Sequence, residues 1–318
     1  MSTQPLVRIG ARGSKLSLAQ AGQMQRRIAA ALGAPEAEAE RVAPITVITT
    51  TGDRIQDRRL LEIGGKALFT KEIEEALIAG RIDCAIHSMK DVPAEQPPGL
   101  CIAAVPERED VRDAFISLKW ERLEDLPQGA VLGTASLRRQ AQSLHRRPDL
   151  RVELLRGNVD TRLAKLERGE AEAILLAKAG LNRLGLADRP KSLIDPREAP
   201  PAPGQGALAI QTREGDRTAA WITPLHHRQS ELTVAAERGA LVALEGSCRT
   251  PVGAHAIVEG ETLTLLVEAL SPDGRQRFRR EGEASLAGDA VAAARALGLR
   301  LGREVADEGG EAILLPAP

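Results

Sequence analysis

Several of the residues best suited to chemistry lie at the ends of short apolar runs. In HSMKDVP (87–93), Lys90 and Asp91 stand side by side where one such run stops. Opposite charges at the C-terminal end of a strand in an α/β sheet face the crevice where such folds bind ligands. A carboxylate there can accept hydrogen bonds from ligand N–H groups and stabilise a developing cation. The same pair also fits a surface loop with a salt bridge.

A second set is cationic. GTASLRRQ (133–140) and LRGNVDTRL (155–163) place Arg138, Arg139, Arg156 and Arg162 at or just after strand–helix junctions. Arginine's planar fork grips carboxylates bidentately, and a helix start adds free N–H groups. The pattern suits a polycarboxylate or phosphates. A third set comprises Arg8, Arg12, Ser14 and Lys66, the last in IGGKALFTKE, where Gly64 and Gly65 fit either a close backbone approach or a loop. The fourth is Cys248 in LEGSCRTPVG (244–253). Arg249 favours its thiolate and the preceding helix end opposes it, so its reactivity stays open.

The elements that must position these residues can be read from periodicity. Strands are predicted at 6–11, 43–51, 83–88 and 100–106, with helices at 14–32 and 68–80. The alternation restarts with strands at 130–135 and 151–157, helices at 136–147 and 158–169, and a strand leading into a helix over 171–181. Both blocks read as α/β units with largely parallel sheets. The Pro/Gly-rich segment 196–212 is a crossover returning to the first unit. A helix over 230–246, three antiparallel strands over 254–283 with turns at EGE and SPDG, and a helix over 288–309 form a small α+β unit.

Composition narrows the function. Net charge is −1, yet residues 131–168 carry nine Lys/Arg against four acids, which fits an anionic ligand inside a neutral protein. Aromatics are 2% with no Tyr, which argues against a nucleic-acid stacking surface. No apolar run reaches membrane-spanning length, and the N-terminus lacks a secretory pattern, so a cytoplasmic protein is expected. Three dispersed cysteines form neither a disulfide framework nor a metal site, and His226 and His227 read as structural or linker residues. No GxxxxGK[ST] motif is present.

Together these segments resemble the porphobilinogen deaminase family. The resemblance rests on RIGARGSKLSLAQ, TTGDR, IGGKALFTKEIE, HSMKDVP, PERED, RDAF, GTASLRRQ, RRPDL, LRGNVDTRL, LAKAGLNRLG, PGQGALAI, AAERGAL and LEGSCRTPVG, in order from residue 8 to 253. It implies an α/β fold of two periplasmic-binding-protein-like domains, with the site between them, plus a C-terminal α+β domain of three antiparallel strands with helices. The domains expected are 1–106 with 206–225, 107–205, and 226–318. It implies a transferase of haem-type tetrapyrrole biosynthesis that joins four porphobilinogen molecules head to tail, with loss of four ammonia, into hydroxymethylbilane. It implies Asp91 as the catalytic carboxylate and a dipyrromethane cofactor on Cys248 through a thioether. Ser14, Lys66, Ser88, Lys90, Asp91, Ser136, Arg138, Arg139 and Arg162 would hold that cofactor, and Arg12, Phe69, Arg156 and Arg183 the substrate. A monomer without metal, membrane or nucleic-acid partner is implied. Glu62, Ala135, Thr51 and Ser247 depart from residues common in the family. The rival reading is a two-domain solute-binding protein for a polycarboxylate, which would hold its ligand reversibly and without a covalent adduct.

Overall fold

The computed structural model describes residues 6–54, 68–244 and 250–315. Among them the chain begins β1 (Ile9–Ala11), α1 (Lys15–Ala31), α2 (Ala39–Val42), β2 (Ile45–Val47), α3 (Thr51–Arg54), α4 (Lys71–Ile78), β3 (Cys84–Ser88) and β4 (Leu100–Ala104). It continues β5 (Asp113–Ser117), β6 (Val131–Gly133), α5 (Leu137–Arg146), β7 (Arg151–Glu153), α6 (Val159–Glu167), β8 (Ala173–Ala177), α7 (Lys178–Arg183) and β9 (Ser192–Leu193). It ends β10 (Leu208–Arg213), α8 (Arg228–Ala243), β11 (Val252–Glu259), β12 (Thr262–Leu270), β13 (Arg277–Ser285) and α9 (Ala290–Gly309). Two compact units result. The first holds the described residues up to Glu109 together with Gly206–Glu231, and the second holds Asp110–Gln205 and those from Leu232 onward.

The first unit is one five-stranded sheet in the order β2-β1-β3-β10-β4. β1 runs parallel to β2 and β3, and β10 runs antiparallel to β3 and β4. Buried Ala21, Met24 and Ile28 recur at helical spacing along α1 and pack on the face that presents Cys84 and Ile86. Ile73, Ala76 and Leu77 of α4 pack on the other face, with Ala85 and Leu100. Alternation along β3 therefore sends Cys84 and Ile86 toward α1, and Ala85 toward α4.

The second unit repeats this topology in the order β7-β6-β8-β5-β9, with β5 antiparallel to β8 and β9. It also carries the antiparallel sheet β11-β12-β13, covered by α8 and α9 over a core of Leu263, Leu265, Val267 and Leu301. The fold class expected from sequence is thus present. The sheets are mixed rather than largely parallel, because each takes its fourth strand from a segment that crosses between units. β10 was anticipated as that return, whereas β5 was not predicted. The predicted strand over 43–51 shortens to three residues. Its end turns into α3, where Gly52 N–H donates to Leu68 O at 2.8 Å.

α8 and α9 touch backbone to backbone. A Cβ on Gly298 would lie 2.0 Å from Ala236 O, and one on Gly302 would lie 2.7 Å from Ala240 O. Only glycine allows that approach. Gly298→Ala must push the helices apart, and the gain in helix propensity does not offset this, so a net loss of about 2 kcal/mol is expected. Urea denaturation measures it, and an unshifted midpoint would show that the crossing yields freely.

Candidate functional site

The first unit gathers Arg12, Ser14, Phe69, Ser88 and Asp91 around one cavity at the C-terminal end of β3. Ser14 takes an extended backbone before α1 and its Oγ accepts Ser17 N–H at 3.2 Å, the capping its sequence position predicts. Ser17 Oγ in turn accepts Arg12 N–H at 3.1 Å, which fixes the turn between β1 and α1. The Arg12 guanidinium carbon lies 4.1 Å from the centroid of the Phe69 ring, a cation–π stack. Gly52 makes room for that ring, since a Cβ there would meet Phe69 Cε1 at 2.3 Å.

Asp91 closes a short 3-10 turn, Met89–Asp91, directly after β3. Met89 N–H donates to Ala207 O at 3.0 Å and Val92 N–H to Met89 O at 3.1 Å, which hold the turn. The Asp91 side chain is exposed, and among the described residues none forms a hydrogen bond or ion pair with its carboxylate. Lys90 is also exposed. Ser88 points to the α1 side and bonds the Gln20 amide at 2.9 Å. His87 points the other way, fully buried, with Nε2 3.0 Å from Gln211 Oε1. Burial pushes the His87 pKa down to about 4, Arg12's charge adds to this, and the Gln211 bond opposes it. The imidazole is therefore neutral at ordinary pH.

In the second unit the arginines divide into two kinds. Arg138 and Arg139 are buried, and both donate to Asp113 of β5, Arg138 Nη1 to Oδ2 and Arg139 Nη2 to Oδ1, each at 2.8 Å. Gln205 Nε2 donates to Asp113 Oδ1 at 2.8 Å. Burial pushes the Asp113 carboxyl up, and the two guanidiniums overcome this and hold it far below the usual range. Ser136 caps α5 by accepting Arg139 N–H at 3.4 Å. Arg156 and Arg162, at the start of α6, are half-buried. Burial, then the charges of Arg139 and Arg156, lower the Arg162 pKa to about 10. Arg183 ends α7, half-buried.

The cluster retains donors. Arg138 Nε, Arg139 Nε and one terminal nitrogen of Arg156 are buried without a hydrogen-bond partner among the described residues. Unpaired cationic donors beside mutually repelling guanidiniums suit a ligand carrying several carboxylates. Lys66, Cys248, Glu62 and Ser247 lie outside the described residues. Arg8 binds Asp83 bidentately at 2.8 and 2.9 Å, so this candidate pins β1 to the start of β3 and is removed from the ligand set. His226 bonds Glu231, and His227 bonds Ser230 where α8 begins, both structural as expected. Among the described residues no cluster of His, Cys, Asp and Glu could hold a metal, and no helix is long and apolar enough to cross a membrane.

Sequence reasoning missed Asp113, Gln205, His87, Gln211 and Gly52. For Asp113 a signal existed: two adjacent arginines at a buried helix start require a counter-charge. For Gln211 none existed, because its partners are distant in sequence.

These features describe a two-unit α/β protein with an exposed carboxylate in one unit and a cluster of arginines at helix starts in the other. A family model described as "Porphobilinogen deaminase, dipyromethane cofactor binding domain" matches residues 7–220, and one described as its C-terminal domain matches 231–307. A curated protein of Phenylobacterium zucineum named porphobilinogen deaminase is 71% identical over 99% of this chain and 100% of its own length. One of the same name from Caulobacter vibrioides is 68% identical over 99% and 100%. Among solved structures, a putative methionine-binding lipoprotein of Bacillus subtilis matches at 12% identity and a TM-score of 0.41, over 71% of this chain and 92% of that one. The chain belongs to the porphobilinogen deaminase family. It is an enzyme of tetrapyrrole biosynthesis with a dipyrromethane cofactor, and the solute-binding alternative is not favoured.

Between about pH 4 and 6.5 the unfolded chain protonates His87 while the folded chain does not. Stability from this group is therefore full above that window and falls on acidification, by up to about 3 kcal/mol. His87→Gln is expected to flatten that part of the stability–pH curve measured by urea titration, and an unchanged slope would contradict it. Asp113→Asn leaves two buried guanidiniums against a neutral amide and is expected to lose about 3–5 kcal/mol. A thermal melt matching the parent chain would show that the pair is not structural.

Proposed function

We propose that this chain joins four porphobilinogen molecules into hydroxymethylbilane with Asp91 as its catalytic carboxylate. The observation that carries the assignment is an exposed carboxylate, unpartnered among the described residues, on a fixed backbone turn that lines one cavity with Arg12 and Phe69. Each addition forms one carbon–carbon bond between a pyrrole α-carbon and the aminomethyl carbon of the next substrate. The carbon–nitrogen bond breaks, ammonia leaves, and the α-carbon gives up its proton. Loss of ammonia generates a cation delocalised over a pyrrole. Asp91 accepts pyrrole N–H bonds and lowers the energy of that cation, and it is placed to assist proton transfer.

The dipyrromethane, joined to Cys248 by a thioether, supplies a primer that remains on the enzyme while the chain grows. Ser14, Lys66, Ser88, Lys90, Ser136, Arg138, Arg139 and Arg162 bind its carboxylates. Arg12, Arg156, Arg183 and the Phe69 ring bind incoming substrate. The unpartnered donors of Arg138, Arg139 and Arg156 support this fit, as does the lowered proton affinity of Arg162. We divide the chain into domains 1–106 with 206–225, 107–205, and 226–318, the last supported by the separate core under β11–β13. A cytoplasmic monomer that binds no nucleic acid completes the assignment.

Intact-protein mass spectrometry tests it. The mass is expected to exceed that of the sequence by one dipyrrole, and Cys248→Ser is expected to abolish the excess together with turnover. An unmodified, fully active chain would overturn the tether.

A further inference from the structure

We propose that Gln211 is a positioning residue for Asp91, acting as a clamp on the chain at both sides of it. This rests on the reading of Asp91 as the catalytic carboxylate. Gln211 lies on β10 between β3 and β4 and is completely buried. Its Oε1 accepts from His87 Nε2 at 3.0 Å, and its Nε2 donates to Gln96 Oε1 at 2.9 Å and to Glu74 Oε1 at 3.3 Å. His87 precedes Asp91 on β3, and Gln96 follows it in the next loop. Gln96 Nε2 also donates to Pro93 O at 3.1 Å. One amide thus grips the strand that delivers Asp91 and the loop that carries the chain away.

The choice of residue is informative. The face of the sheet that Gln211 shares with Ala85 is otherwise packed by Ile73, Leu77 and Leu100. An aliphatic side chain would fill such a place, whereas a buried amide costs free energy unless its hydrogen bonds are made. The neutral His87 ring orients this amide: its carbonyl faces the imidazole, and its NH2 faces Gln96 and the Glu74 carboxylate. Backbone contact adds a second hold, since Ala207, just before β10, accepts Met89 N–H under the turn itself. A merely cohesive residue has no need to join these three segments around one exposed carboxylate.

The test is a double-mutant cycle on the holoenzyme with porphobilinogen, using Gln211→Leu, Asp91→Asn and both together, with product followed to long times. Misplacement on the order of 1 Å can cost about a hundredfold, so Gln211→Leu is expected to lower kcat by roughly ten- to a hundredfold with KM nearly unchanged. In the Asp91→Asn background the same change is expected to do almost nothing further, because the residue it acts through is gone. An equal loss in both backgrounds, a rise in KM at constant kcat, or a native kcat for Gln211→Leu would each overturn the clamp. Near-native turnover of Asp91→Asn alone would instead overturn the reading of Asp91. If Gln211→Leu does not fold, Gln96→Leu, at a half-buried position, removes one arm and is expected to lower kcat several-fold with the same dependence on Asp91; additive loss again overturns the clamp.

Discussion

A single buried carboxylate organises the second unit. Asp113 accepts from Arg138, Arg139 and Gln205 at 2.8 Å each, and thereby joins β5, the first turn of α5 and the return segment. Arg139 also bonds Leu175 O of β8. Arg138 continues to Gln142 at 2.8 Å, Gln142 to Glu268 at 2.9 Å, and Glu268 to Arg277 at 2.7 Å. This polar chain runs from the centre of one sheet to the strands β12 and β13. Replacing such a chain by apolar residues could leave stability unchanged. Its effect here is on geometry: it holds the Arg139 guanidinium in place, and that charge, with burial and the charge of Arg156, lowers the proton affinity of Arg162.

The first unit uses the same device with different chemistry. In both sheets the fourth strand runs antiparallel and is supplied by a connection between units. In both, a buried polar residue on that strand does the joining: Asp113 on β5 and Gln211 on β10. A parallel βαβ sequence brings its ligand-facing ends together on one edge but leaves successive loops independent. An antiparallel strand inserted among them can bond residues from several of those segments at once. Charge follows need. Two guanidiniums require a carboxylate, whereas a neutral imidazole, an amide and a buried carboxylate can share a neutral amide.

Much of this was legible in the sequence. Serine before a long amphipathic run marked α1, and Ser14 is its cap. The hairpin β11–β12–β13 was readable from alternation and turn residues. Arg12, Ser14 and Asp91 stood out from their own motifs, whereas Phe69 and Ser88 entered only through the family resemblance; the first unit gathers all five around one cavity. What escaped was determined by long-range partnership. DAFIS reads as a short apolar run opened by an acid, and only the arginines of α5 explain why Asp113 is buried. Arg8 looked like a ligand residue because Asp83, its partner, is 75 positions away. The strand expected over 43–51 stops at Val47, and Gly52 beyond it lies against the Phe69 ring, a contact that pattern cannot reveal.

Two aspartates show how differently the fold treats a carboxylate. A carboxylate offers about four lone-pair sites. At Asp113 three are taken by fixed N–H donors in a dry interior, and its charge is neutralised on site. At Asp91 none is taken by a described residue, and the residue is exposed where it lines the cavity. In the role proposed for Asp91, that free capacity serves pyrrole N–H groups and a cation formed nearby. What the interior contributes at Asp91 is confined to the backbone: Ala207 holds the turn, and Gln211 ties the strand before it to the loop after it. Rigid backbone with an unpartnered side chain is the arrangement that lets a carboxylate respond to charge as it develops, without first breaking a bond to the protein.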